Sequence, residues 1–199
     1  ETTPNPESLK FKPGRPVLEA GGTREYKSRA EAAASPLAKR LFQIEGVASV
    51  FLAADFVAVN KAETAEWTAI KPQIFASIMD FYAAGEPVVS DESAAEADSL
   101  TIHPDDPEVV QMIKELLEMR IRPSVQEDGG DITFVSFDDE SGVVLLQMQG
   151  SCSGCPSSSV TLKAGIENML MHYIPEVQEV RAVGMDNDPQ EGFHDLGEQ

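Results

Sequence analysis

Cysteine is almost missing from this chain. Of 199 residues only Cys152 and Cys155 carry a thiol, three positions apart. That excludes the framework of long-loop disulfides on which small secreted domains depend. Long apolar runs are missing too, and none approaches the length of a bilayer span, so no membrane insertion is expected. Positive charge is scarce. Lys plus Arg total 15 against 34 Asp plus Glu, a formal net charge of −19. The deficit deepens along the chain, from 10 basic and 15 acidic groups over residues 1–103 to 5 and 19 over residues 104–199. Such a surface repels phosphate backbones, which excludes nucleic-acid binding as a primary role. The chain begins at Glu1 without Met, as a processed or trimmed product would. What is plentiful is apolar side chain, 42% of the residues, enough for packed cores and too much for a wholly disordered chain. The length suits one large or two small domains.

The pattern divides into two α+β halves, with residues 1–87 as a first domain, 88–106 as an acidic linker, 107–184 as a second domain and 185–199 as an acidic disordered tail. In the first half, residues 8–12 alternate with Leu9 and Phe11 on one side, a strand signal, and 16–18 read as a short second strand. Residues 19–34 read as loop. Ser35-Pro36 opens a helix with a capping hydroxyl and Pro at the first position. Residues 47–53 and 56–60 predict a hairpin around Ala54-Asp55. A helix over 68–84 follows, with Ile70, Ile74, Ile78 and Phe81 on one face, and Pro72 is expected in its first turn. In the second half Asp106-Pro107-Glu108 starts a helix that Pro123 should stop. Two strands joined at residues 138–142, a helix over 156–173 with Val160, Leu162, Ile166, Met169, Leu170 and Tyr173 inward, and a strand over 177–183 complete the order α-β-β-α-β, with the helices on one face of a small sheet.

The sharpest signal is Gly150-Ser151-Cys152-Ser153-Gly154-Cys155-Pro156, joining a strand to a helix. Two thiols at C-x-x-C spacing can converge on one metal centre, and the helix start places free N–H groups and the positive dipole end where Cys155 would carry a thiolate. Three chemistries use such a pair. A thiol–disulfide oxidoreductase is one, although a hairpin precedes the motif here where a βαβ unit is needed. A zinc-clasped dimeric adaptor is another; zinc wants four ligands, and His103, His172 and His194 read as surface or helix-end histidines. The third is an iron–sulfur cluster, which takes four thiolates; two copies related by a two-fold axis would supply Cys152 and Cys155 twice.

The segment 122–131, Arg-Pro-Ser-Val-Gln-Glu-Asp-Gly-Gly-Asp, followed by Gln149-Gly150-Ser151-Cys152-Ser153-Gly154-Cys155-Pro156-Ser157-Ser158, closely resembles the NifU-like C-terminal domain of Nfu iron–sulfur proteins. Residues 3–11, Thr-Pro-Asn-Pro-Glu-Ser-Leu-Lys-Phe, resemble the separate Nfu N-terminal domain, and the two-domain order is similar to that of mitochondrial Nfu proteins. The resemblance implies a binding protein and not an enzyme: a scaffold or carrier that holds a [4Fe-4S] cluster between two subunits, with Cys152 and Cys155 as ligands. It implies upstream cluster-assembly proteins as partners, delivery to apo-proteins such as lipoyl synthase and respiratory-complex subunits, and a place in the mitochondrial matrix. The first half contains no cysteine and cannot add thiolates.

Other residues carry weaker signals. Gly129 and Gly130 read as backbone devices that tolerate positive φ, and Asp128 and Asp131 as an acidic turn. Ser151 and Ser153 could donate to cluster sulfur or serve only the loop. Met169-Leu170-Met171 reads as core packing.

Overall fold

Strand alternation and two helix starts organise the first 90 residues around one antiparallel sheet. The computed structural model describes residues 1–18, 22–90, 98–153 and 156–183, with all their side chains except those of residues 156–159. Strands β1 (Ser8–Phe11), β2 (Arg24–Tyr26), β3 (Val47–Leu52) and β4 (Val57–Lys61) lie in the order β1-β4-β3-β2. Helices α1 (Pro36–Leu41) and α2 (Trp67–Ala84) cover one face. Alternation decides which side chains meet them: Phe11, Val50, Leu52, Val57 and Val59 join Leu37, Leu41, Ile70, Ile74, Ile78 and Phe81 in one buried cluster. Ser35 caps α1 as expected, accepting from the Ala38 amide at 3.2 Å.

Three expectations for this half are corrected. Residues 16–18 are not a strand; the Val17 and Leu18 amides instead donate to the Ala54 carbonyl at 2.8 and 3.4 Å. The expected loop at 19–34 contains β2, whose three residues are too short to show an alternation. Pro72 lies inside α2 and not in its first turn. It forgoes a bond to the carbonyl of Thr68, which is exposed at the helix start where water can serve that acceptor.

The second half is built from α3 (Glu108–Leu116), a π-type turn (Leu117–Ile121), α4 (Arg122–Glu127), β5 (Gly130–Asp138), β6 (Val143–Gly150), α5 (Pro156–Tyr173) and β7 (Glu179–Val183). The sheet order is β5-β6-β7, antiparallel between β5 and β6 and parallel between β6 and β7, with α5 as the crossover. Ile113, Leu117 and Ile121 pack with Ile166 and Leu170 over Ile132, Val144, Leu146 and Val180. The helices therefore lie on one face, and the two halves together are α+β, as the sequence pattern predicts.

Pro123 does not stop the helix. The chain passes through the π-type turn, where the Arg122 amide donates to Leu117 five residues back, and runs on into α4. The wider turn makes room for a proline that has no amide to donate. Asp106 does not cap α3; its carboxylate accepts from the His103 amide at 2.9 Å and from Lys114 Nζ at 2.7 Å. In α5, Val160 and Tyr173 are exposed and not inward. Val160 sits about 120° round the helix from Ile166, and Tyr173 is the last residue, edge-on to His172.

The expected linker is tied down where it is described. Val88 and Val89 pack on the first core, Leu100 is buried in the second, and the Ser99 hydroxyl accepts from the Phe134 amide at 3.0 Å. Residues 91–97 and the expected tail, 185–199, lie outside the described residues.

Candidate functional site

Strand β6 ends at Gly150, opposite Gly130 at the start of β5. Both positions leave no room for a side chain. Gly150 has φ +66°, and a Cβ there would sit 2.7 Å from the Gly129 carbonyl oxygen. A Cβ on Gly130 would sit 2.7 Å from Cys152 Sγ. The glycine pair thus serves the backbone in two ways: Gly129 takes positive φ, at +86°, and Gly130 vacates the space that the Cys152 sulfur fills. The loop beyond is held from within. The Ser151 amide donates to the Gly129 carbonyl at 3.2 Å, the Ser151 hydroxyl to the Asp128 carbonyl, and the Ser153 hydroxyl to the Gly150 carbonyl at 2.8 Å. Both serines therefore have loop partners.

Cys152 is buried, 6% exposed, and packs with the second hydrophobic core although it lies in the segment that joins β6 to α5. Burial pushes its pKa up to about 11, with Asp128, Asp131 and Glu25 adding to the shift and the Ser151 hydroxyl opposing it. The group is a neutral thiol at pH 7. Cys155, and with it the expectation of a thiolate at the helix start, lies outside the described residues. Among the described residues no three His, Cys, Asp or Glu side chains converge to hold a metal ion.

Asp131, expected in an acidic turn, is 1% exposed and accepts from Arg122 Nε at 3.1 Å, from the Ile132 amide at 2.8 Å and from Thr23 Oγ1 at 2.8 Å. Arg122 also pairs with Asp98 and Glu118. Burial opposes its charge, but Asp98 and Asp131 outweigh that and raise its pKa. Asp128 is held above the ordinary carboxylate value by burial and by Glu127.

The other wall of the site comes from the first half of the chain. Register across the four strands aligns Lys10, Ala58, Phe51 and Glu25 in one row on the sheet face away from α1 and α2. Lys10 Nζ donates to the carbonyls of Gln126 and Glu127 at 2.9 and 3.2 Å, serving orphan acceptors at the end of α4. Asn5 donates to the Ser151 carbonyl at 3.0 Å and Asn60 to the Gly150 carbonyl at 3.1 Å. Glu25 accepts from the Gly150 amide at 3.1 Å and lies 3.1 Å from the Ser153 hydroxyl, whose one hydrogen it shares with the Gly150 carbonyl. A cleft of about 430 Å³ opens beside the loop, between Pro4 and Asn5 on one side and Asp128, Cys152 and Leu162 on the other. Sequence reasoning missed this wall. Alternation in β1 and β4 shows that Lys10, Ala58 and Asn60 share a face, but not what covers it.

Comparison with known proteins accounts for both halves. Residues 1–85 match the family described as scaffold protein Nfu/NifU N terminal, and residues 113–181 match the NifU-like domain. The chain is 57% identical over 180 residues to NifU-like protein 5, mitochondrial, of Arabidopsis thaliana, covering 90% of this chain and 65% of that protein. It is 55% identical to NifU-like protein 4, mitochondrial, of the same plant, covering 96% and 67%. It is 59% identical to the NFU1 iron-sulfur cluster scaffold homolog, mitochondrial, of Drosophila willistoni, covering 92% and 62%. The chain thus spans about two thirds of the length of the curated relatives it matches.

Proposed function

The chain belongs to the Nfu/NifU scaffold family, and from that premise we propose that it is an iron–sulfur cluster carrier whose cargo is held by Cys152 and Cys155 of two copies and passed to apo-proteins. The observation that carries this reading is the 150–156 segment itself: two thiols within four residues, inside the NifU-like match, where strand β6 hands over to α5. Thiolate sulfur is the ordinary ligand of such clusters, and four are wanted where one chain has two. A cluster at a seam between identical chains loses half its ligands when they part, which favours transfer over storage. The chain acts as a binding protein and not as a catalyst. We assign the cargo as [4Fe-4S], the acceptors as lipoyl synthase and respiratory-complex subunits, and the compartment as the mitochondrial matrix, as the sequence resemblance implies; the names of the relatives support the iron–sulfur scaffold role and the mitochondrion.

Anaerobic reconstitution with ferrous iron and sulfide, followed by visible absorption and metal analysis, tests the reading. The expected product carries about four iron and four sulfide per two chains. A protein that takes up zinc alone, or only cycles between dithiol and disulfide, would sink it.

A further inference from the structure

The sheet of the first domain uses one face for its own helices. Its other face is buried against the loop that carries Cys152, and the contact has an unusual make-up. Its apolar part is a cluster of four residues, Phe51, Ala53, Phe56 and Ala58, separate from both cores. The remainder is polar: Asn5, Asn60 and Glu25 engage the backbone of Gly150 and Ser151 and the Ser153 hydroxyl, and Lys10 engages the end of α4. Two polar atoms on this same face, Ser8 Oγ and Asn60 Oδ1, are buried without a hydrogen-bond partner among the described residues. Each forfeits its bonds to water while the face stays covered; a third such atom, Tyr26 Oη, lies in the first core, so it is the polar make-up of the contact that sets the seam apart. A seam that opens returns them to water.

The geometry points to a reversible cap: the outer sheet face of the first domain closes over the 150–153 loop in the single chain and must swing off before two copies can bring their loops together. The inference rests on the carrier reading for its purpose, and on the contacts alone for its existence. In the closed state a second chain cannot approach Gly150 and Ser151, because Asn5, Asn60 and Glu25 occupy their outward backbone groups. Opening frees those groups and leaves the loop's internal bonds, from Ser151 to Gly129 and from Ser153 to Gly150, in place. The apolar contact at Phe51 and Ala58 is small and lies apart from both cores, so neither domain needs to unfold for the seam to part.

Amide hydrogen exchange on the full, metal-free chain reads the cap directly. The Gly150 amide is bonded across the seam to Glu25, whereas its neighbour Ser151 is bonded within the second domain and Val59 lies in the first sheet. In the wild type, Gly150 is expected to exchange at least about tenfold faster than both, through an opening that leaves them protected. Ala58→Glu places a charged wedge in the seam and is expected to speed Gly150 by a further factor of about ten, with Ser151 and Val59 within about twofold. If that variant loses Val59 protection, and so its fold, Lys10→Met carries the same comparison with a severalfold acceleration expected. Gly150 exchanging in step with Val59 and Ser151 in wild type and variant alike would show one rigid unit and overturn the cap. Because no cluster is present, this outcome is independent of the carrier reading, which iron and sulfide content decides.

Discussion

A carbonyl oxygen 2.7 Å from where a Cβ on Gly150 would sit, together with φ of +66°, makes that position intolerant of any other residue. Gly150→Ala is expected to cost about 2 kcal/mol or more, because neighbouring backbone must move to admit the methyl group. Gly165, exposed in α5 with nothing within 4 Å of its would-be Cβ, is the internal control. Gly165→Ala should stabilise by about 0.5–1 kcal/mol through helix propensity. Urea melts of both variants measure the contrast. Cys152 is packed in the second core and is also a proposed cluster ligand. Cys152→Ser and Cys155→Ser are each expected to abolish cluster retention, read as iron and sulfide content after gel filtration. Cys152→Ser should in addition lower the stability of the metal-free chain by about 1–2 kcal/mol, since a hydroxyl replaces a thiol packed among Ile132, Met148 and their neighbours. A Cys152→Ser protein with a full complement of iron would falsify its assignment as a ligand. The motif was legible in the sequence because its signal is local. The burial of Cys152 was not, because it depends on Gly130 leaving room for the sulfur from the opposite strand.

Among the elements, those with a sustained period were readable and those shaped by a neighbour were not. Helix α2 follows from 3.6-residue spacing, and the β3–β4 pair from two short apolar runs broken at Ala54-Asp55. Strand β2 exists because β3 offers it an edge, and the helical path from α3 continues into α4 past the expected stop because a π-type turn accommodates Pro123. Directly after that turn comes the half-buried Arg122, whose charge compensates the buried Asp131. Arg122→Ala should cost about 3–5 kcal/mol by stranding a buried carboxylate, measured by denaturation at neutral pH. The Asp98–Arg122 pair ties the segment before α3 to the same network, and it makes stability depend on pH. Its hydrogen bonds to Arg122, against an opposing effect of burial, hold the Asp98 pKa below 3.8 in the fold. The pair's contribution is therefore fully present above pH 3.8 and is lost as pH falls through the lower folded value. The stability difference between wild type and Asp98→Asn should be constant from pH 7 down to about 4 and shrink below it. A difference that grew on acidification would contradict the direction of the shift. Asp128 works the other way: its raised pKa means that its charge destabilises the fold at neutral pH, so Asp128→Asn should raise stability there.

At the scale of the whole molecule, two α+β halves were legible from composition and pattern, whereas their mutual contact was not. That contact rests on Lys10, Glu25 and Asn60, polar residues that a strand pattern assigns to solvent. On the proposed reading, the chain's own first domain covers the loop that a second copy would have to reach. Each chain also carries a formal charge of −19, so two copies repel within about a Debye length, ~8 Å at physiological salt. Metal-free protein is accordingly expected to be a single chain. On the proposed reading loading shifts the balance, because four thiolates from two chains around one cluster would supply bonds that oppose the seam and the charge. The expected result is about one cluster per two chains, with mass near 21.5 kDa in the metal-free state and an even multiple of it when loaded. Higher salt should favour the loaded assembly by screening the repulsion, and chelating the iron should return the single chain. Anaerobic light scattering with iron analysis on the same sample decides the matter. A full cluster on a protein that remains a single chain would require ligands beyond Cys152 and Cys155 and would end the shared-site reading.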